Sequence, residues 1–329
     1  AIDVFLSLFL SPLFGAGLAG ALLFALLKLR PLSNIHKSPF QRQQIEGRKH
    51  PPFWARFMLI VSSMGMSFSH GSNDGQKGMG IMMLILMGLA PVSFALNMQA
   101  TPTQIQRVLE TTAEAEKVVK AHMTDPRAQQ DERYRQRLVD IQRDMDQAQV
   151  SLQGIQVIGQ VPGENRFTLR KQLLVAYRSA YALRKSRELY MTPTEFATMK
   201  TYEKAVAALI EYVSGWVKVS VALALGIGTM IGWKRVAVTV GEKIGNQPMT
   251  YAQGLSAQVV AMLTIGAGDV LGLPVSTTHV VSSGIAGSMV ANGSGLQPKT
   301  LLNIVLAWVL TLPASMALAA VAYLIFRQI

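Results

Sequence analysis

The stretch "FSHGSNDGQKGMG", Phe68 to Gly80, sets His70, Ser72, Asn73, Asp74, Gln76 and Lys77 among four glycines, between two runs that are otherwise largely apolar. In water, Asn-Asp-Gly is a turn former whose side chains bond their own backbone. In lipid the same groups could line a wet cavity and hold an ion or a polar solute, because a carboxylate at membrane depth is costly and usually functional. A second polar stretch, "GAGDVLGLPVSTTHVVSSGIAG", carries Asp269, Ser276, Thr277, Thr278 and His279. Its hydroxyls fall just after Pro274, which suits the first turn of a helix. Unpaired N–H groups ringed by hydroxyls at a helix start make an anion site.

The solvent around these residues follows from composition. Half of the 329 residues are hydrophobic and 15% are charged, against roughly a quarter charged in ordinary soluble domains. Val4 to Leu29, Val206 to Gly232 and Leu301 to Phe326 each offer the roughly 20 apolar residues that cross a bilayer. The first lacks the basic leader and small-residue cleavage site of a secretory signal. The formal charge of +12 is concentrated in loops. Lys28, Arg30, Lys37, Arg42, Arg48, Lys49 and Arg56 are opposed by Glu46 alone, and Lys234, Arg235 and Lys243 follow the second span. Short basic loops between apolar segments belong in the cytoplasm. Neither loop has interleaved aromatics or a groove-reading motif, so no nucleic-acid partner is expected. With no cysteine, there is no disulfide or thiolate metal site.

Three regions result: a membrane part over 1–100, a soluble helical insert over 101–205 and a second membrane part over 206–329. The insert holds most of the acids and about half the basic residues. Tyr134, Leu138, Ile141, Met145, Ala148, Leu152 and Ile155 alternate four and three apart, the seam of an amphipathic helix. Arg166 to Arg187 reads as another helix with a basic polar face, and a solvated helical hairpin is the simplest account of both.

The apolar runs flanking the first polar stretch, Phe57 to His70 and Gly78 to Ala90, each reach only about 20 Å as helices. Two half-helices meeting at a break are therefore expected, with Asn73 and Asp74 in a cavity. A second break is expected over Gly266 to Pro274, between half-length runs from Tyr251 to Gly266 and Val275 to Val290. Paired interrupted segments point to the binding site of a secondary transporter. Purely structural re-entrant turns are the alternative.

"FSHGSNDGQKG" resembles the G-x-N-D signature of the inorganic phosphate transporter (PiT) family, and "GLPVSTTHVVSSGIAG" resembles that family's P-V-S-T-T-H stretch. The likeness is nearest to the bacterial low-affinity Pit type and reaches almost all of the chain outside the insert. It implies an all-α integral membrane protein with interrupted half-helices, one repeat of an inverted-repeat transporter. Family members carry two G-x-N-D copies and this chain one, so it resembles a C-terminal half, with an N-terminal repeat as partner. The resemblance places Asn73 and Asp74 at the phosphate and coupling-ion site, with Ser276, Thr277 and Thr278 donating hydroxyls to phosphate. Ser72, Gln76, Lys77, Asp269 and His279 are further candidates for ion or substrate contact.

Many family members read N-D-V-A-N-A where this chain has Asn73-Asp74-Gly75-Gln76-Lys77-Gly78. That departure speaks against sodium as the coupling ion, and the resemblance to bacterial Pit proteins implies protons instead, with phosphate carried as a complex with a divalent metal. The resulting expectation is a multi-pass phosphate symporter of the bacterial inner membrane, with inorganic phosphate and the bilayer as partners and no cofactor. A homo-oligomer could complete the site. A non-transporting truncated or partner subunit is the alternative. An enzyme is not expected, since no HExxH, GxSxG or paired-carboxylate pattern occurs. Histidines beside helix ends, such as His70 and His279, are more often structural than proton relays.

Overall fold

The computed structural model describes residues 2–30, 33–48, 50–186 and 191–326; Arg187, the end of the expected basic helix, lies outside them. Among these residues there is no strand, only an isolated antiparallel bridge between Gly245 and Leu296. The α-helices are α1 (Ile2–Leu29), α2 (Pro39–Glu46), α3 (Phe53–Leu89), α4 (Pro91–Phe94), α5 (Pro102–Met123), α6 (Pro126–Gln130), α7 (Glu132–Leu152) and α8 (Gly163–Lys185). They continue as α9 (Pro193–Ile210), α10 (Gly215–Met230), α11 (Trp233–Glu242), α12 (Tyr251–Leu271), α13 (Thr277–Ala291) and α14 (Pro298–Phe326). The chain divides into two compact units, one of residues 1–77 and 221–329, the other of 78–220.

The second unit has a core of its own. Tyr134, Leu138, Ile141, Met145, Ala148 and Leu152 are all buried along α7, with Ile155 packed against the cluster. The four-three spacing thus does what an aqueous amphipathic helix requires. The basic face of α8 is turned largely to internal use. Arg166 donates to the carbonyls of Val92 at 2.7 Å and Val161 at 3.0 Å. Arg170 donates to those of Ala95 and Ile210. Arg184 grips Glu203 of α9 through two bonds of 2.6 and 2.7 Å, with both side chains nearly buried.

The first unit is built from apolar helices. Phe9–Leu29 of α1, Tyr251–Leu271 of α12 and Pro298–Ile325 of α14 are long and apolar enough to cross a membrane. α13 packs most extensively along α1, and the contact depends on missing side chains. A Cβ on Gly287 would lie 2.1 Å from the Ala16 carbonyl oxygen, and one on Gly15 would lie 2.8 Å from that of Val280. Small residues let backbones approach this closely where lipid gives no hydrophobic drive between helices. α14 packs through Leu301, Ile304 and Trp308, while 309–325 are exposed.

Several expectations need correction. The first polar stretch is not a break: α3 runs unbroken through all 37 residues of Phe53–Leu89, about 55 Å. Turn propensities measured in water lose force in lipid, where unpaired backbone groups cost several kcal/mol and the helical ladder is enforced. The second break is shorter and later, at 272–276. α12 extends to Leu271 and is capped by Gly272 at φ +66°. Pro274 precedes the N-cap Ser276 rather than sitting in the first turn of α13.

Val206 to Gly232 is not one straight helix either. α9 and α10 meet at 80° across residues 211–214. The last carbonyls of α9 are taken by other segments: Ala208 by the Asn97 amide at 3.1 Å, Leu209 by the Asn97 N–H at 2.8 Å, and Ile210 by Arg170. These bonds satisfy the terminal carbonyls that a helix end leaves without intrahelical partners.

Candidate functional site

Helical continuity turns the polar stretch into a face. His70, Asn73, Asp74 and Lys77 follow the i, i+3, i+4, i+7 spacing that stacks side chains on one side of a helix. Asp74 sits between a histidine one turn before it and a lysine one turn after it. His70 Nε2 lies 3.0 Å from Asp74 Oδ2, and Lys77 Nζ lies 3.6 Å from Asp74 Oδ1.

The same side of α3 is tied to α12 by a polar ladder. Ser62 Oγ donates to Gln258 Oε1 at 2.9 Å, Ser69 Oγ to the Met262 carbonyl at 3.3 Å, and Asn73 Nδ2 to Asp269 Oδ1 at 3.0 Å. The partners ascend together, so the two helices run in the same direction. Between the first two rungs, Gly65 leaves the space that Met262 fills.

At the top of the ladder lies a cavity of about 200 Å³. α3 contributes Asn73, Gln76 and Lys77, the end of α12 contributes Asp269, and the break contributes Leu273 and Pro274. Asn73 is buried at 4% exposure. Lys77 Nζ donates to Asn73 Oδ1 and, at 3.0 Å, to the Val275 carbonyl oxygen. One ammonium is thus surrounded by an amide oxygen, a backbone carbonyl and, slightly further off, a carboxylate. That oxygen set is the kind that holds a small hard cation. Lysine and the amides of Asn73 and Gln76 can bind an oxyanion, while Asp74 and Asp269 can hold a proton or cation.

Asn73, Gln76, Lys77 and Asp269 therefore gather around one cavity, and Asp74 joins them through Lys77. Ser72 stays on α3, its Oγ 3.5 Å from Gln76 Nε2. The three hydroxyls behave differently. Ser276 Oγ caps α13 by accepting from the His279 N–H at 3.4 Å, Thr277 is buried, and Thr278 is exposed. None of them is among the residues lining the cavity. His279 lies against Trp308 of α14, ring centroids 4.1 Å apart. Among the described residues, no cluster of three or more histidines and carboxylates is placed to chelate a metal.

The ladder partners Ser62 and Gln258 were not anticipated. Ser62, Ser69 and Asn73 span an interval of eleven residues on α3, and Gln258, Met262 and Asp269 span an interval of eleven on α12; that equal span along two helices is the signal that pairs them.

The model of the phosphate transporter family matches residues 1–319. The chain is 39% identical to the low-affinity inorganic phosphate transporter PitB of Escherichia coli K12, over 99% of this chain and 69% of that protein. It is 37% identical to PitA of the same strain, with the same coverage. It is 40% identical to the low-affinity inorganic phosphate transporter of Buchnera aphidicola from Acyrthosiphon pisum, over 98% of this chain and 67% of that protein. The share is more than the half expected from a single G-x-N-D copy, which was too coarse a measure of length. No solved structure matches.

Proposed function

The chain belongs to the phosphate transporter family, and from that premise we propose that it carries inorganic phosphate across a bacterial inner membrane by symport with protons. The relatives are low-affinity phosphate transporters by name. The apolar helices α1, α12 and α14 suit a membrane protein. The inverted-repeat organisation implied by the resemblance belongs to this reading.

One observation supports protons over sodium: Lys77 Nζ occupies the oxygen set formed by Asn73, Val275 and Asp74. A tethered ammonium there supplies the positive charge that a bound sodium ion would otherwise bring. Phosphate, bare or as a complex with a divalent metal, meets Lys77 and the amides of Asn73 and Gln76 in the cavity. Asp74, with His70 3.0 Å away, takes the accompanying proton, which removes the negative charge that would repel the anion. Asp269 orients Asn73 through the 3.0 Å bond. Ser276 to Thr278 act at the start of α13, where free N–H groups favour an anion that moves past the cavity.

Labelled phosphate uptake tests this in cells lacking other phosphate systems. Asp74→Asn is nearly isosteric and should abolish proton-coupled uptake while membrane abundance stays near normal. Uptake at the unsubstituted rate would reject Asp74 as the proton site.

A further inference from the structure

The segment joining α1 to α3 carries a second polar cavity that the transport site does not use. α2 opens with a capping box between Ser38 and Gln41 and ends on Gly47 at φ +66°. Arg42 points inward from it, 5% exposed. Its Nε donates to Glu46 Oε2 at 2.9 Å, and Lys37 Nζ donates to Glu46 Oε1 at 2.8 Å, so the local carboxylate is already shared by two cations. Arg42 Nη1 is buried with no hydrogen-bond partner. A guanidinium cannot shed its charge, and a buried donor left unmet bears its full desolvation cost.

Arg42, Arg48, His50 and Phe53, with Pro51 and Pro52, line a cavity of about 510 Å³. Among the described residues, Lys37 and Arg42 share Glu46 and Arg48 adds a further positive charge at the cavity wall, so the excess charge is positive. The surroundings are apolar and uncovered: Phe53 is 86% exposed, and Phe40, Ile45 and Trp54 are exposed as well. This loop leaves α1 directly after the candidate span Phe9–Leu29. Aromatic and basic residues at the end of a span mark the depth of the lipid headgroups.

We propose that this cavity binds a phosphate group, held by Arg42 and Arg48, at the membrane surface. Arginine forks match pairs of phosphate oxygens, and basic pockets at this depth take anionic headgroups. The same chemistry could come from the phosphodiester of an anionic phospholipid or from free phosphate in the cytoplasm. The exposed aromatic rim favours the lipid, whose chains would lie along Phe53 and Trp54.

The full chain is placed in phosphatidylcholine nanodiscs, with or without phosphatidylglycerol, and bound phosphatidylglycerol is counted by native mass spectrometry. In a second arm, inorganic phosphate is added to the phosphatidylcholine discs and the rise in thermal midpoint is read in a Lys77→Met background, which removes the response of the transport cavity. Arg48→Gln should weaken the response in at least one arm about tenfold (about 1.4 kcal/mol), with Arg48→Lys intermediate. Arg235→Gln should leave that response unchanged. Arg42→Gln should behave like Arg48→Gln, but Arg48 is the safer test because it is exposed and free of the Glu46 pair. Loss in the lipid arm assigns a headgroup, and loss in the phosphate arm assigns the free ion. Unchanged responses for Arg48→Gln in both arms, or an equal loss in Arg235→Gln, would overturn the proposal, the latter by showing only diffuse surface charge.

Discussion

Replacing Lys77 by methionine keeps the length of the side chain and removes its charge, so it isolates the tethered cation. At an effective dielectric constant of about 20, unit charges at the 3.6 Å of Lys77 and Asp74 attract by about 4.6 kcal/mol. The side chains are 48% and 31% exposed, and screening leaves roughly 1 kcal/mol of that. The bonds to Asn73 Oδ1 and the Val275 carbonyl contribute about 1.5 kcal/mol each at the low end for charged donors. Ordering a lysine side chain costs up to about 2 kcal/mol. The net loss is about 2 kcal/mol, which corresponds to roughly thirtyfold in occupancy of the assembled site.

Initial phosphate uptake, measured in sodium medium and in sodium-free medium at equal ionic strength, reads the effect directly. Unsubstituted protein should give the same rate in both. Lys77→Met should fall roughly thirtyfold without sodium and recover partly with it, because the oxygen set is left open to a free cation. Lys77→Arg should retain most activity and stay indifferent to sodium. A sodium requirement in the unsubstituted protein, or a Lys77→Met variant within about threefold of it, would refute the reasoning.

Gly287→Ala should lower the thermal midpoint and membrane level of the protein, since the new methyl meets the backbone of Ala16 and overpacking costs about 1–3 kcal/mol; Gly17→Ala, with open space around it, is the neutral control. Burial raises the Glu116 carboxyl above the ordinary glutamate value, with Lys120 opposing and Asp146 reinforcing the shift. The fold then prefers the protonated acid and loses that stability as pH rises through the raised value. Glu116→Gln should therefore raise the thermal midpoint at pH 7.5 and leave it unchanged at acid pH below the free glutamate value, as differential scanning fluorimetry would show. Glu203→Gln should cost about 3 kcal/mol or more by stranding the nearly buried Arg184, seen as a lower denaturation midpoint with phosphate uptake per folded molecule preserved.

Water decided which elements were legible. The seam from Tyr134 to Ile155 belongs to a helix with one wet face, so its spacing alone located the buried side. Ser276 was legible as part of a helix start, because capping chemistry is local. The stretch from His70 to Lys77 misled for the opposite reason: Asn, Asp and Gly were weighed as turn formers in water, while their spacing already described one helical face. The bend after Ile210 could not be read at all from its neighbourhood. It depends on Asn97 and Arg170, distant in sequence, reaching the carbonyls of α9. At the site, residue types identified Asn73, Asp269 and Lys77 as candidates, but the closing of Lys77 onto the Val275 carbonyl needs the path of the chain through 272–276.

The distribution of contacts along α14 has a mechanical consequence. Leu301, Ile304 and Trp308 hold its first turns, and residues 309–325 are exposed among the described residues. The helix is a cantilever with a free arm of about 26 Å. A tilt of about 10° at the clamp would sweep the tip sideways by about 4–5 Å over that arm. The ring contact at the end of the clamp is His279, three residues after the cap of α13. Any adjustment at the start of α13 is therefore magnified at the far end of α14, and a spin label near Leu324 would register motions too small to resolve at the cavity itself.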